Sequence, residues 1–567
     1  MSMQPSLRLV LLWHMHQPDF RDQDSGEFQQ PWVYLHALKD YSDMAAHLEA
    51  HPGVQAVVNL VPILLDQIDD YADQFRTGRL RDPLLRLLVH EDLDRLELSD
   101  RRYLLNQCFR SNHVKMVDPF TPYKRLRDLY AYAVSQGGDP CVYFSGQYLA
   151  DLVTWYHLSW TGEALRRERE VVARLMARGE AFTHGDRLEL FELISEVVRG
   201  TVDRYRALAA RGQVELTTTP YQHPIGPLLL ELDSAREALP DAPFPRADHY
   251  PGGRTRLLRH LDQALDSHAR RFGARPRGIW PAEGAVSLPF CRVVGEHGVS
   301  WVASGEAVLM NSLRKSGLAV HDRQDVLYRP WRVGSAEGPA CFFRDDRLSD
   351  LIGFEYKAWH GSDAAAHFVR ELEGIAQATA GNPAPVVSVI LDGENAWEYY
   401  PYNAYYFFRE LYGALEQHAA IRTTTFSAVL DDAQSAQLAR TLPDMVTGSW
   451  VYGNLSTWIG SPDKNRAWEL LITAKQSYDL VLGSARLSPA EAAAAEAQLA
   501  VCEGSDWFWW FGDYNPREAV MAFDRLFRSY LANLYHLLKL PVPPQLSEPV
   551  SLGALNVHTD GAMRRAA

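Results

Sequence analysis

The segment Val386-Val387-Ser388-Val389-Ile390-Leu391 is short, apolar and β-branched, and it stops abruptly at Asp392-Gly393-Glu394-Asn395. Such a run is the pattern of a strand buried on both faces, as in a parallel sheet covered by helices. The same pattern recurs along the chain. Residues 7–13 lead into His14-Met15-His16-Gln17-Pro18, residues 213–219 into Pro220-Tyr221-Gln222-His223-Pro224, and Gly278-Ile279 into Trp280-Pro281-Ala282-Glu283. Residues 54–60, 300–303 and 340–343 are further strand candidates, and helical spacing fills intervals such as 256–272, 364–377 and 404–418. Repeated strand, polar motif and helix argue for an α/β barrel-type domain with its polar residues at the carboxyl ends of the strands.

Two long stretches, 63–134 and 146–210, read as mostly helical and suggest an insertion over that polar face. Past about residue 435 the strand pattern ends, and 465–482, 489–502 and 517–538 read as helices. The expected organisation is a catalytic domain over 1–435, a helical C-terminal domain over 436–545, and a tail over 546–567.

Composition narrows the function. With 47% hydrophobic and 23% charged residues the chain is an ordinary folded protein. A net charge of -14 disfavours nucleic acid and anionic membrane surfaces as partners. Fifteen Trp, 26 Tyr and 22 Phe supply rings that can stack on the apolar faces of sugars. The five cysteines are scattered and form no CxxC, which fits a reducing compartment and gives no zinc framework. No signal-peptide pattern and no apolar run of membrane-spanning length are evident, so the expected location is cytoplasmic.

Glu283 and Asp392 are the candidate reactive groups. Two carboxylates displayed at strand ends are what acid–base or nucleophilic work on a glycosidic bond requires. Taken singly, each is better read as a cap or turn residue. His14 and His16 lie two apart and share a face. They fit a metal pair or contacts to sugar hydroxyls, and no third ligand of matching kind is evident.

In combination the motifs are more specific. Trp13-His14-Met15-His16-Gln17-Pro18 resembles the first motif of glycoside hydrolase family 57. Gly212-Gln213-Val214-Glu215 with His223-Pro224 resembles the second, and the stretch from Gly278 to Gly284 the third. Asp392-Gly393-Glu394-Asn395-Ala396-Trp397-Glu398 resembles the fourth, and Thr457-Trp458-Ile459-Gly460 with Lys464-Asn465-Arg466-Ala467-Trp468 the fifth. The resemblance implies an incomplete (β/α)7 barrel with a helical domain, acting on an α-glucan or maltooligosaccharide with retention of configuration and without metal or other cofactor. It makes Glu283 the nucleophile and Asp392 the general acid/base. It places His14, His16 and Gln17 against substrate; His223 is either a substrate contact or a core histidine, and Glu215 is a buried polar partner of the first-motif histidines or of substrate. Glu394 would orient or polarise the site, with the acid role itself as the alternative, and Trp280, Trp397 and Trp458 are either stacking residues or ordinary core. Gln17 and Gly284 stand where branching enzymes of the family usually have Leu and Cys. The expected activity is therefore of the α-amylase or amylopullulanase type. A 4-α-glucanotransferase is the alternative, with a branching enzyme or a metal-dependent carbohydrate enzyme less favoured.

Overall fold

Side-chain alternation along the strands sorts the apolar residues into two separate cores. The computed structural model describes residues 7–382, 385–436 and 438–555, so residues 556–567 of the expected tail lie outside it. Its strands are β1 (Leu7–Met15), β2 (Ala56–Leu60), β3 (Val214–Thr217), β4 (Gly278–Ile279), β5 (Trp301–Gly305), β6 (Trp331–Val333), β7 (Ala340–Arg344), β8 (Val386–Asp392), β9 (Ile421–Thr424) and β10 (Arg440–Leu442).

Parallel pairing runs β2 to β1 to β8 to β7 to β5 to β4 on one side, and β2 to β3 on the other. A single bridge, Thr218 to Ile279, joins the region of β3 to β4, and β7 meets β8 through one residue pair, Arg344 to Ser388. Seven strands thus surround one interior, with two thin seams that leave the sheet incompletely closed. This is the incomplete seven-stranded α/β barrel expected from the sequence. The three remaining strands are accessory: β6 lies antiparallel on β7 and carries β10, and β9 lies parallel on β1.

Inward positions form a compact plug of Val10, Leu12, Val57, Trp280, Trp301, Ala303, Phe342 and Ile390. Their sequence neighbours Leu9, Leu11, Trp13, Val302, Phe343, Val389 and Leu391 face outward into the core shared with the helices. Burying each aliphatic side chain stabilises the fold by roughly 1.5–3 kcal/mol. The alternation continues past the plug. On β1 the inward series 10, 12 reaches His14, on β2 it reaches Asn59, and on β8 it reaches Asp392. Strand register then aligns them, because His14 is the Cα partner of both Asn59 and Asp392.

The helical expectations hold, with Gly253–Phe272, Gly361–Ala378 and Tyr405–Gln417 packed outside the barrel. Helices from Pro62–Thr77 through His184–Ala210 form the long excursion between β2 and β3. After β10 come Pro462–Gly483, Pro489–Cys502 and Arg517–Leu537, with no further strand among the described residues. Among the described residues, no helix is long and apolar enough to cross a membrane.

One buried ion cluster locks this last helical region to the barrel. Glu503 accepts from Arg256 Nε and Nη2 at 2.8 Å each, lies 2.8 Å from His260 Nε2, and accepts from the Tyr250 hydroxyl. Arg256 and His260 belong to the barrel helix Gly253–Phe272, and all four side chains are buried. Burial opposes the Glu503 charge, but Arg256 and His260 outweigh it and hold the carboxyl down to about 2.

Arg256→Ala should therefore lower unfolding stability by about 3–5 kcal/mol, the cost of stranding a buried charge, read as a shift in the urea denaturation midpoint. The folded-state value lies below the unfolded carboxyl near 4.3. The cluster's contribution is accordingly full above about pH 4.3 and drains away as pH falls toward about 2.

Candidate active site

The inward polar residues open into a cavity of about 430 Å³ at the carboxyl ends of the strands. His14, His16, Gln17, His223, Glu283, Asp392 and Glu394 all line it, joined by Arg344 and Asn395. Trp450 and Asp506 reach the same cavity from the chain beyond the barrel.

Glu283 sits just past β4 in a left-handed turn, with φ 57° and ψ 23°. The next residue, Gly284, also has positive φ, and a Cβ there would come within 2.7 Å of the Trp280 ring. Only glycine meets both demands. The turn is clamped from outside the barrel: Val286 and Gly448 form an antiparallel bridge, and Trp450 N donates to the Glu283 carbonyl at 3.3 Å. The carboxyl itself accepts from Trp450 Nε1 at 3.3 Å and lies 3.4 Å from Ser505 Oγ. Burial first, then the charges of Asp392 and Asp506, push Glu283 up to about 8.

Asp392 ends β8 beneath a turn closed by its own neighbour, since Asn395 Nδ2 donates to Asp392 Oδ2 at 2.9 Å. Burial pushes Asp392 up to about 6, opposed by Asn395 and by the nearby His16 and Arg344. Two carboxyls in these ranges hold a single proton between them near neutral pH. Glu394 accepts from the His16 backbone N–H at 3.2 Å, and its Oε2 is buried without a hydrogen-bond partner in the protein. Burial, and then the Asp392 charge, keep it well above the usual carboxylate range.

The three histidines form one stacked group. His16 and His223 rings lie 3.9 Å apart and 17° from parallel, and His14 and His223 rings 5.1 Å apart. His16 Nε2 is 2.9 Å from Asp506 Oδ1. His16, His223 and Asp506 offer ligand atoms within 4.8 Å of one another, the spacing of a metal site. Metal binding needs ring lone pairs that converge on one point. Stacked rings send theirs side by side, so this trio does not have the arrangement of a ligand set. Desolvation holds His14 down to about 3 and His223 well below its ordinary value, so both rings are neutral near pH 7.

Other expected residues lie elsewhere. Glu215 has the right inward parity but sits at the amino end of the barrel. There it accepts from Trp301 Nε1 at 2.9 Å and from the hydroxyl and backbone N–H of Ser427. It touches neither the histidines nor the cavity, because one strand displays inward residues at both its ends. Trp397 is core, edge-on to Trp13 and Phe408, with Nε1 bound to the Gly393 carbonyl. Trp458 packs against Trp509 behind the cavity wall, and Trp280 lies beneath His14 as part of the plug. The aromatic rings that line the cavity are Phe20, Phe354 and Phe523 together with Trp32, Trp160, Tyr399, Trp450, Trp509 and Trp510. Of these, Trp509 and Trp510 lie in a Ser-Asp-Trp-Phe-Trp-Trp stretch whose aromatic density was the available signal. Nothing local marked Asn59, Arg344 or Trp450.

Comparison with known proteins agrees with this architecture. The family model described as glycosyl hydrolase family 57 matches residues 10–442. The chain belongs to that family and is an enzyme acting on glycosidic bonds. No curated relative matches. A GH57 branching enzyme from Thermococcus kodakaraensis superposes with a TM-score of 0.56 at 14% identity, covering 93% of this chain and 89% of its own. The branching enzyme from Pyrococcus horikoshii gives 0.55 at 16%, covering 98% and 99%. An α-amylase from Thermotoga maritima gives 0.55 at 12%, covering 94% and 93%. At these identities the likeness is one of fold.

The raised Glu283 carboxyl has a stability consequence. Its folded value of about 8 exceeds the unfolded value near 4.3. The folded state is therefore favoured fully below pH 4.3 and loses that advantage as pH rises through about 8. Glu283→Gln removes this loss. By scanning calorimetry the variant should melt above wild type, with the gap widening between pH 5 and pH 8.

Proposed function

We propose that this enzyme is a retaining α-glucan hydrolase of the α-amylase or amylopullulanase type, with Glu283 as nucleophile and Asp392 as general acid/base. The observation that carries the reading is the pair itself. Two half-buried carboxyls from different parts of the barrel face one cavity, close enough for the Asp392 charge to raise Glu283.

The empty site favours the shared proton on Glu283, whereas the reactive form carries it on Asp392. From that form Asp392 gives its proton to the glycosidic oxygen while Glu283 attacks the anomeric carbon, forming a glycosyl ester. Asp392 then takes a proton from incoming water, which opens the ester and restores the pair. His16 and Gln17 hold sugar hydroxyls against the reacting ring. His14 and His223, whose ring nitrogens are met by Asn59, Ser505 and each other, stack against His16. Glu394, anchored on the His16 backbone, fixes that end of the site. Trp509 and Trp510, together with Trp32 and Trp160, offer faces for neighbouring glucose units.

Gly284 supports placement on the amylase side. A Cys at this position would bring its Cβ into the Trp280 ring at 2.7 Å. Transglycosylation is the second reading, favoured by the apolar cavity wall of Ala519, Ala522, Phe523 and Leu526, which suits a sugar acceptor better than water. The enzyme is proposed to work in the cytoplasm on soluble substrate.

Glu283→Gln and Asp392→Asn should each lower kcat on maltooligosaccharides by roughly a thousandfold or more. Proton NMR of the first products should show the α-anomer. Chromatography should show shortened α-1,4 chains, and new α-1,6 branches in treated amylose would overturn the placement.

A further inference from the structure

Arg344 stands at one of the two thin seams of the barrel. It is the last residue of β7 and joins that strand to β8 through its pairing with Ser388. Two residues further on, Ile390 still turns its backbone edge toward β7. Parallel register would face it with Asp346, but there the chain has already entered the helix Asp346–Asp350. Backbone groups left unmet at that depth would be costly. The Ile390 carbonyl accepts instead from Arg344 Nε at 2.9 Å, and the Ile390 N–H donates to Ser349 Oγ at 3.3 Å. Two side chains thus carry the ladder on to within two residues of Asp392.

The guanidinium is fixed on its other sides as well. Nη1 donates to Asp346 Oδ1 and Nη2 to Asp350 Oδ1, each at 2.8 Å, and these carboxylates offset its charge. Its carbon lies 5.5 Å from the centre of the Trp450 ring, which itself donates Nε1 to Glu283. Arg344 is buried, yet it lines the cavity. One planar group therefore touches both the strand that presents Asp392 and the ring that meets Glu283. The two carboxyls differ in what else holds them. Glu283 keeps separate ties, the Val286–Gly448 bridge and the Trp450 N–H on its carbonyl. The end of β8 follows β1 along one edge, and along the other it is held by Arg344 and Ser349.

We propose that Arg344 is a positioning residue for the acid step, holding the end of β8 so that Asp392 meets the glycosidic oxygen of a sugar whose anomeric carbon lies at Glu283. A lysine would keep the positive charge and lose the planar fork. That fork is what reaches Ile390, both aspartates and the Trp450 face at once. A displacement of about 1 Å at a reacting group costs about a hundredfold in rate.

This role rests on Asp392 being the general acid, and the choice of leaving group tells failure of one from failure of the other. A sugar alkoxide needs a proton from Asp392 as it departs. From α-maltosyl fluoride the C–F bond breaks with fluoride ion leaving unprotonated, while a Glu283 oxygen bonds the anomeric carbon. Arg344→Lys should lower kcat/KM on maltopentaose by about a hundredfold and leave it nearly unchanged on α-maltosyl fluoride. A smaller folded fraction would lower both alike. Ser349→Ala removes the other bond to Ile390 and no charge, and should show the same selectivity to a smaller extent; it carries the test where Arg344→Lys does not fold. Asp392→Asn is the calibrant, with its loss in kcat/KM confined to maltopentaose. Equal losses on the two substrates, or no loss, in natively folded Arg344→Lys or Ser349→Ala overturn the positioning role while the calibrant stays selective. A calibrant without selectivity brings down Asp392 as the acid, and the positioning role with it.

Discussion

Everything at this site depends on a dry barrel interior. Val10, Leu12, Val57, Phe342 and Ile390 fill the space inside the strands, so the polar layer above them has no solvent beneath. A carboxyl or imidazole in that layer can be solvated only from the cavity side or by fixed neighbours. This single fact raises Glu283, Asp392 and Glu394 and lowers His14 and His223. It also gives fixed dipoles their leverage, since a hydrogen bond in such surroundings counts for more than the same bond in water.

The second requirement is delivery of groups the barrel does not own. Glu503, buried against Arg256 and His260, pins the end of the helix Pro489–Cys502 to the barrel helix Gly253–Phe272. The following residues are then forced into the cavity: Ser505 N donates to the His223 carbonyl at 2.9 Å, and Asp506 meets His16. Gly504 passes so close to the Gln222 carbonyl, 3.0 Å from where a Cβ would lie, that a larger residue would press the loop outward. The ion cluster thus sets the geometry of the catalytic side chains as well as joining two regions.

How much of this was legible in the sequence follows from the same physics. The strands of the ring carry long apolar runs or a polar motif at their ends, and both leave a mark in one dimension. Accessory strands β6, β9 and β10, three to four residues each, leave none, because their pairing is decided by neighbours far along the chain. Within the site, Glu283, Asp392, His14 and His16 follow directly from strand-end placement. Glu215, placed beside the histidines or substrate by its motif, shares their inward face but sits at the other end of its strand, a difference in height that a motif does not carry. The tryptophans mislead for a related reason: adjacency to a motif says nothing about which way a ring turns, and Trp397 turns into the helix-side core. Ser505 was invisible as a partner of Glu283, from which it is separated by 222 positions.

The strained residues show why the segment after the barrel belongs to the catalytic unit. Glu283 and His223 each adopt φ of 57°, a left-handed conformation that costs a residue with a side chain about 1–2 kcal/mol. Neither conformation is imposed by the strand that precedes it. Each is held through its own carbonyl by a backbone N–H from beyond residue 442, Trp450 for Glu283 and Ser505 for His223. The same two residues place a side-chain donor on or beside the Glu283 carboxyl. Strain and electrostatics are therefore met at the same points by the same chain. A barrel ending at β10 would keep both reactive carboxyls in its sequence and lose the contacts that turn one of them toward the cavity and favour its ionised form.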